Sequence, residues 1–262
     1  MSSIDDNPAV SLATGGAPAA SPAAEQALPP PWGFFSTLGW ALLAFAIGAA
    51  IISAGVVWAN WGRLDELADT AEDPWFALQF IVINLVQVAV LAAAARLRRW
   101  PAGLYLGLVR PRGRDVAHGI AALAVTMVAL EILTHLVGRE SVTPFQTDTY
   151  RVAQVAGLLP LLWIAFVVAA PVGEEIVFRG FVFRGWAHSR LGVPGTILLT
   201  SLVFSAAHTQ YDWFGTLQTF CIGALFAWLR WRSGTAVVTI LLHTLINFTS
   251  TVWTAIKVAG LA

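Results

Sequence analysis

Residues 33–58 read GFFSTLGWALLAFAIGAAIISAGVVW, and this run decides the fold class. About 20 apolar residues cross the hydrocarbon core of a bilayer as a helix, so the run is expected to stay in the membrane. It is too long for the apolar region of a cleaved signal, and the residues ahead of it lack the basic start that a signal needs. Comparable blocks follow near 75–95, 116–137, 154–175, 191–208, 212–229 and 235–256. Backbone groups have no water partner in lipid, so such spans must be helices, and the alternating pattern of a barrel strand is absent. The expected fold is all-α, a polytopic transmembrane helical bundle of about seven to eight spans.

Composition agrees. Over 262 residues the chain is 57% hydrophobic, 11% charged and of zero net charge, far from the balance of a soluble domain. No basic block exceeds a few Arg, so the electrostatic footprint of a nucleic-acid binder is missing and no nucleic-acid partner is expected. The single cysteine, Cys221, excludes an internal disulfide and any Cys-based zinc cluster. Residues 1–31 are rich in Ala, Pro, Ser and Gly and read as a disordered tail ahead of a transmembrane domain over 32–262.

Arginine placement orients the spans. The first loop holds Arg63 against Asp65, Glu66, Asp69, Glu72 and Asp73, whereas the second holds Arg96, Arg98, Arg99, Arg110, Arg112 and Arg114. Alternation then puts Arg179, Arg184 and Arg190, and later Arg230 and Arg232, on the same side as the second loop. The expectation is an integral, multi-pass membrane protein with a cytoplasmic N-terminus. Trp32, Trp58, Trp61, Trp75, Trp100, Trp186, Trp213 and Trp231 fall near span ends, where interfacial anchors are expected.

Ionisable groups inside membrane helices are costly unless paired or hydrated, so each is a site candidate. Span four runs into Gly173-Glu174-Glu175-Ile176-Val177-Phe178-Arg179, span five ends in Phe204-Ser205-Ala206-Ala207-His208, and span seven contains His243-Thr244-Leu245-Ile246-Asn247. Glu175 and Arg179 are i, i+4 and can pair on one helix face, while Glu174 projects about 100° away. One carboxylate is thereby neutralised and the other left free. His243 and Asn247 also share a face, and Phe204 sits one turn before His208. A free carboxylate, two imidazoles and an amide in a dry cavity supply a base for water and donors for an oxyanion. Each cluster alone has a structural reading as an interfacial anchor or an interhelical hydrogen bond. The three together favour chemistry.

These residues resemble the CPBP intramembrane proteases (CAAX proteases and bacteriocin-processing enzymes, also called Abi), related to the type II CAAX prenyl endopeptidases. The resemblance rests on Glu174, Glu175 and Arg179, on Phe204 and His208, and on His243 and Asn247, and it covers roughly residues 155–250. It implies hydrolysis of a peptide bond of a membrane-anchored protein or peptide, at or within the lipid bilayer. Mapped onto this chain, Glu174 is the general base and His208 helps hold the water. His243 and Asn247 polarise the carbonyl and bind the oxyanion, and Arg179 fixes Glu175.

A metal is an open alternative. Glu174, His208 and His243 are the candidate ligands and zinc the candidate ion, since two His, one Glu and an open position form a catalytic zinc set. The H-E-x-x-H arrangement is absent, and the same residues can activate water unaided. Two other functions compete: a non-catalytic membrane scaffold or bacteriocin-immunity protein that binds a membrane peptide, and a small-ion transporter, for which no broken-helix pair is evident.

Glu131 and His135 are a rival ion site at i, i+4, Asn84 and Gln87 read as interhelical hydrogen bonds, and His118 as interfacial. Tyr211, Asp212 and Trp213 read as a loop or the rim of the site. One geometric difficulty arises. A straight span from 154 puts Glu174 about 30 Å from one face, whereas His208 lies about 25 Å from the other. A later start at Pro160, a strong tilt, or a helical extension through Trp186 is needed to bring them together.

Overall fold

The computed structural model describes residues 28–59, 61 and 73–261. The expected tail lies outside the described residues for positions 1–27, as does most of the acidic first loop, residues 62–72. Among the described residues there is no strand. The helices are α1 (Phe34–Ala59), α2 (Phe76–Leu97), the short α3 (Ala102–Tyr105), α4 (Gly113–Leu136), α5 (Pro144–Val155), α6 (Leu159–Ala187), α7 (Gly192–Ala206), α8 (Trp213–Ser233) and α9 (Ala236–Val258). Helices α1, α2, α4, α6 and α9 are long and apolar enough to cross a membrane, and α7 is a shorter apolar helix.

The largest departure from the sequence reading is at span four. Residues 154–175 do not form one element. Helix α5 ends at Val155, and α6 starts at Leu159 with Pro160 in its first turn, then continues to Ala187. Proline fits there because the first turn needs no N–H donor from it. Glu174 and Glu175 therefore sit in the middle of α6. Both the late start and the extension through Trp186 occur. Helix α7, with 15 residues, rises only about 22 Å, short of a core about 30 Å thick. His208 thus lies at depth, just past the end of α7.

Helix α5 has a readable cause. The Thr143 hydroxyl accepts from the Gln146 N–H, the Gln146 side chain accepts from the Thr143 N–H, and Pro144 fills the first helical position. This is a capping box. Asp212 caps α8 by accepting from the N–H groups of Phe214 and Gly215 at 3.1 and 3.0 Å. Gly234 ends α8 at φ 75°, a left-handed geometry that favours glycine, and the Thr235 hydroxyl then caps α9.

The bundle has two chemically different ends. At one, Trp186 donates to the Phe34 carbonyl, Trp32 to the Ala94 carbonyl, Arg184 to the Tyr105 and Leu104 carbonyls, and Thr235 to the Val109 carbonyl. The starts of α1, α4, α7 and α9 and the ends of α2, α6 and α8 therefore meet there, with the arginine-rich loop between α2 and α4. Trp100 and Trp186 are buried and serve as ties rather than lipid anchors; Trp100 donates to the Pro29 carbonyl. At the opposite end Arg139 pairs with Asp212 and Lys257 with Glu140, and Gln146 donates to Ser250 at 2.6 Å.

Helix α6 is the hub, packing on α1, α2, α5, α7, α8 and α9. Two stretches of it are π-helical, Ile164–Ala169 and Ile176–Val182, flanking the glutamate pair. Such bulges displace backbone carbonyls from the regular ladder and are frequent at functional sites. Gly173 and Gly180 allow close approach. A methyl group at Gly173 would overlap the Asn84 amide, and at Gly180 it would come within 2.7 Å of the Leu106 carbonyl oxygen. Asn84 does not bond across helices through its N–H as expected; it donates to Phe80 on its own helix at 2.8 Å and lays its oxygen against Gly173.

Candidate active site

Arg179 lies inside α6 and is fully buried, so it is not one of the loop arginines that set orientation. Its Nη1 donates to Oε1 of Glu175 at 2.8 Å and its Nη2 to the Gly223 carbonyl on α8 at 3.0 Å. The guanidinium sits 4.4 Å from the Phe204 ring centroid and 5.5 Å from that of Phe226, a cation–π cage. The buried charge is held by its ion-pair partner, the Gly223 carbonyl and the aromatic rings, while Nε of Arg179 and Oε2 of Glu175 have no hydrogen-bond partner. The same Glu175 oxygen is 3.0 Å from Nδ1 of His243 on α9. One fully buried carboxylate thus joins three helices: its own, α8 through Arg179, and α9 through His243.

Glu174, one residue earlier, points elsewhere. Its Oε2 has no hydrogen-bond partner and lies 3.9 Å from Nε2 of His208. The two side chains keep 19% and 18% of their surface accessible, against 0% for Glu175 and Arg179, although Oε2 of Glu174 itself is buried. Nδ1 of His208 is 2.7 Å from the Phe204 carbonyl. A carbonyl only accepts, so Nδ1 carries the proton and Nε2 presents a lone pair toward Glu174. The Phe204 ring packs on the His208 ring at 4.6 Å between centroids. By the same logic the Nδ1–H of His243 faces Glu175 and its Nε2 is bare. Asn247 donates one N–H to the Phe166 carbonyl at 2.8 Å, in the first π-helical stretch.

Glu174, His208, His243 and Asn247 line one cavity of about 420 Å³. Phe76, Phe80, Phe145 and Phe166 form an aromatic wall, and Gln146, Tyr150, Tyr211, Ser250, Thr251 and Thr254 add polar groups. An apolar pocket with a few placed polar groups is the usual form of a small-molecule or peptide site. The sequence reading overlooked Gln146 and the α9 residues 250, 251 and 254, although these continue the helical face of Asn247 at i+3, i+4 and i+7. Tyr211 stacks on His208 with centroids 6.0 Å apart. The rival pair Glu131–His135 is half to three-quarters exposed and does not line the cavity.

The bare Nε2 atoms of His208 and His243 and the unpartnered Glu174 oxygen have the chemistry of metal ligands, with second partners holding the tautomers as ligand histidines require. Their placement does not match. Among the described residues no three His, Cys, Asp or Glu side chains are grouped closely enough to hold a metal ion, so no step is routed through one.

Fold and site together define an all-helical integral membrane protein with a partly wet acid–imidazole cavity at the centre of its bundle. The chain belongs to the CPBP family of CAAX-type intramembrane proteases: residues 156–249 match the model described as type II CAAX prenyl endopeptidase Rce1-like. An uncharacterized 24.3 kDa protein of Escherichia coli is 34% identical over 154 residues, covering 56% of this chain and 67% of that protein. CAAX prenyl protease 2 of Caenorhabditis elegans is 29% identical over 103 residues, 33% of this chain and 38% of that one. No solved structure matches.

Proposed function

We propose that this protein is an endopeptidase that hydrolyses a peptide bond of a membrane-associated protein or peptide with water activated by Glu174 and His208. The observation that carries the reading is the unpartnered Oε2 of Glu174 facing the bare Nε2 of His208 at 3.9 Å in the cavity that His243 and Asn247 also line. A water about 2.8 Å from both atoms gives one proton to each acceptor and turns its lone pairs toward the cavity. As its oxygen bonds to the scissile carbonyl carbon, Glu174 takes a proton; the carbonyl electrons move to oxygen; the acid then protonates the leaving amine as the C–N bond breaks.

The oxyanion needs donors. Asn247 keeps a second N–H beyond the one held by Phe166. His243 donates from Nε2 only as the imidazolium, because its Nδ1–H is held by Glu175. Glu175 and Arg179 hold the frame and touch no substrate. The aromatic wall receives apolar substrate residues.

The arginine-rich end is assigned to the cytoplasm by the positive-inside bias, which puts the N-terminus there. The test is cleavage of a quenched fluorescent peptide by full-length protein in liposomes. Glu174→Ala and His208→Ala are expected to abolish turnover while leaving thermal unfolding and peptide binding as in wild type. Undiminished turnover refutes the assignment. Peptide binding without turnover in the wild type would instead select a non-catalytic peptide-binding role for the same cavity.

A further inference from the structure

We infer that the substrate bond is presented from the extracytoplasmic side of the membrane, so that this chain cleaves membrane-anchored peptides exposed there and not C-termini tethered to the cytoplasmic leaflet. The inference rests on the peptidase reading above and adds the direction from which the site is reached.

The cavity extends from Glu174 and His243 along Leu162, Phe166 and Ala170 of α6 and residues 247–254 of α9 to Phe76 and Phe145, at the starts of α2 and α5. Those starts belong to the end where Glu140 meets Lys257 and Asp212 meets Arg139. No cavity-lining residue comes from the loops at the arginine end. That end is closed by packing: Arg230 donates to the Arg179 carbonyl, Arg184 to Tyr105, and Gly180 lies directly on Leu106.

The charge asymmetry follows the same division. Arg98, Arg99, Arg110 and Arg112 lie in the loop between α2 and α4, and Arg190 follows α6. The cavity end sets Arg139, Arg151 and Lys257 against Asp73, Glu140, Asp148 and Asp212. Short loops rich in arginine are retained in the cytoplasm, so the mouth opens on the other side. Residues 208–211, non-helical backbone at the depth of the site, line the cavity from that side, as irregular backbone must when it lies within a membrane.

The experiment uses the full chain in Escherichia coli with Cys221→Ala and one new cysteine. A membrane-impermeant maleimide is expected to label Asp148→Cys, beside the mouth, in intact spheroplasts. Arg110→Cys is expected to react only after permeabilisation, when both sites label. The reverse pattern, or equal labelling of both before permeabilisation, overturns the inference. In a second arm, one cleavable peptide is fused to a single anchor in either orientation. Cleavage at least 10-fold faster on the extracytoplasmic side is expected, and faster cleavage on the cytoplasmic side overturns the inference. Cleavage of neither, with the labelling as expected, overturns the peptidase reading and the substrate with it but leaves the sidedness standing, so the two failures are distinguishable.

Discussion

Oε1 of Glu175 accepts from both Arg179 and His243, at 2.8 and 3.0 Å, so one oxygen sets the guanidinium of one helix and the imidazole tautomer of another. Glu175→Ala leaves Arg179 buried without its partner. Breaking a buried pair from one side costs about 3–5 kcal/mol, enough for a large fall in Tm in detergent. Glu174→Gln, by contrast, removes an acceptor that has no partner in the protein. We predict that its Tm stays within about a degree of wild type while kcat falls about 10²–10⁴-fold. Equal losses of Tm in the two variants would contradict the division of labour between the glutamates.

Gly173 precedes both acids and faces the Asn84 side chain. Gly173→Ala forces α2 and α6 apart or drives Asn84 from its rotamer, at a cost of about 1–3 kcal/mol for overpacking. The double variant Gly173→Ala/Asn84→Ala is expected to recover most of the lost Tm, because the added methyl then enters the space vacated by the amide. Thermal unfolding of the two single variants and the double variant forms a cycle. Additive losses would show that the contact does not limit the helix spacing.

Much of this arrangement was legible in the primary sequence, for a physical reason. Helical periodicity alone puts Glu175 with Arg179 and His243 with Asn247, and burial in lipid makes polar residues conspicuous. Two things were not legible. The Glu175–His243 contact spans 68 residues and depends on how α6 and α9 cross, which local spacing does not encode. The π-helical stretches leave no compositional mark, yet they supply the Phe166 carbonyl to Asn247. Helix α5 lies between these cases: Thr143-Pro144-Phe145-Gln146 is a readable start signal, but the apolar residues that follow α5 blurred its boundary with α6.

The turn that carries His208 and Tyr211 is held by Asp212. The Gly215 N–H, then the Arg139 guanidinium, hold its carboxyl below the usual aspartate value of 3.8. The folded value is depressed, so the stabilisation is complete above the unfolded value and is lost as pH falls through the folded one. Wild-type Tm is therefore expected to decline as the pH is lowered from about 5 toward 3. Asp212→Asn should start from a lower Tm at neutral pH and show a shallower decline over that window, measured in the same detergent. Parallel curves would mean that other carboxylates carry the acid sensitivity.

Chelation separates the two routes by which Glu174 and His208 can activate water. Their Nε2 and Oε2 atoms stand 3.9 Å apart, a span that one water bridges by two hydrogen bonds. A zinc ion would need a third ligand at about 2.0–2.2 Å, and among the described residues no third His, Cys, Asp or Glu is grouped closely enough with this pair to supply one. We predict that full-length protein incubated with EDTA or 1,10-phenanthroline, then assayed in chelator-treated buffer, keeps at least half its turnover of the fluorescent peptide. Glu174→Gln is expected to remain inactive whether or not zinc is added. Loss of wild-type turnover on chelation, restored by stoichiometric zinc, would mean that these side chains close around a metal and that the water is activated through it.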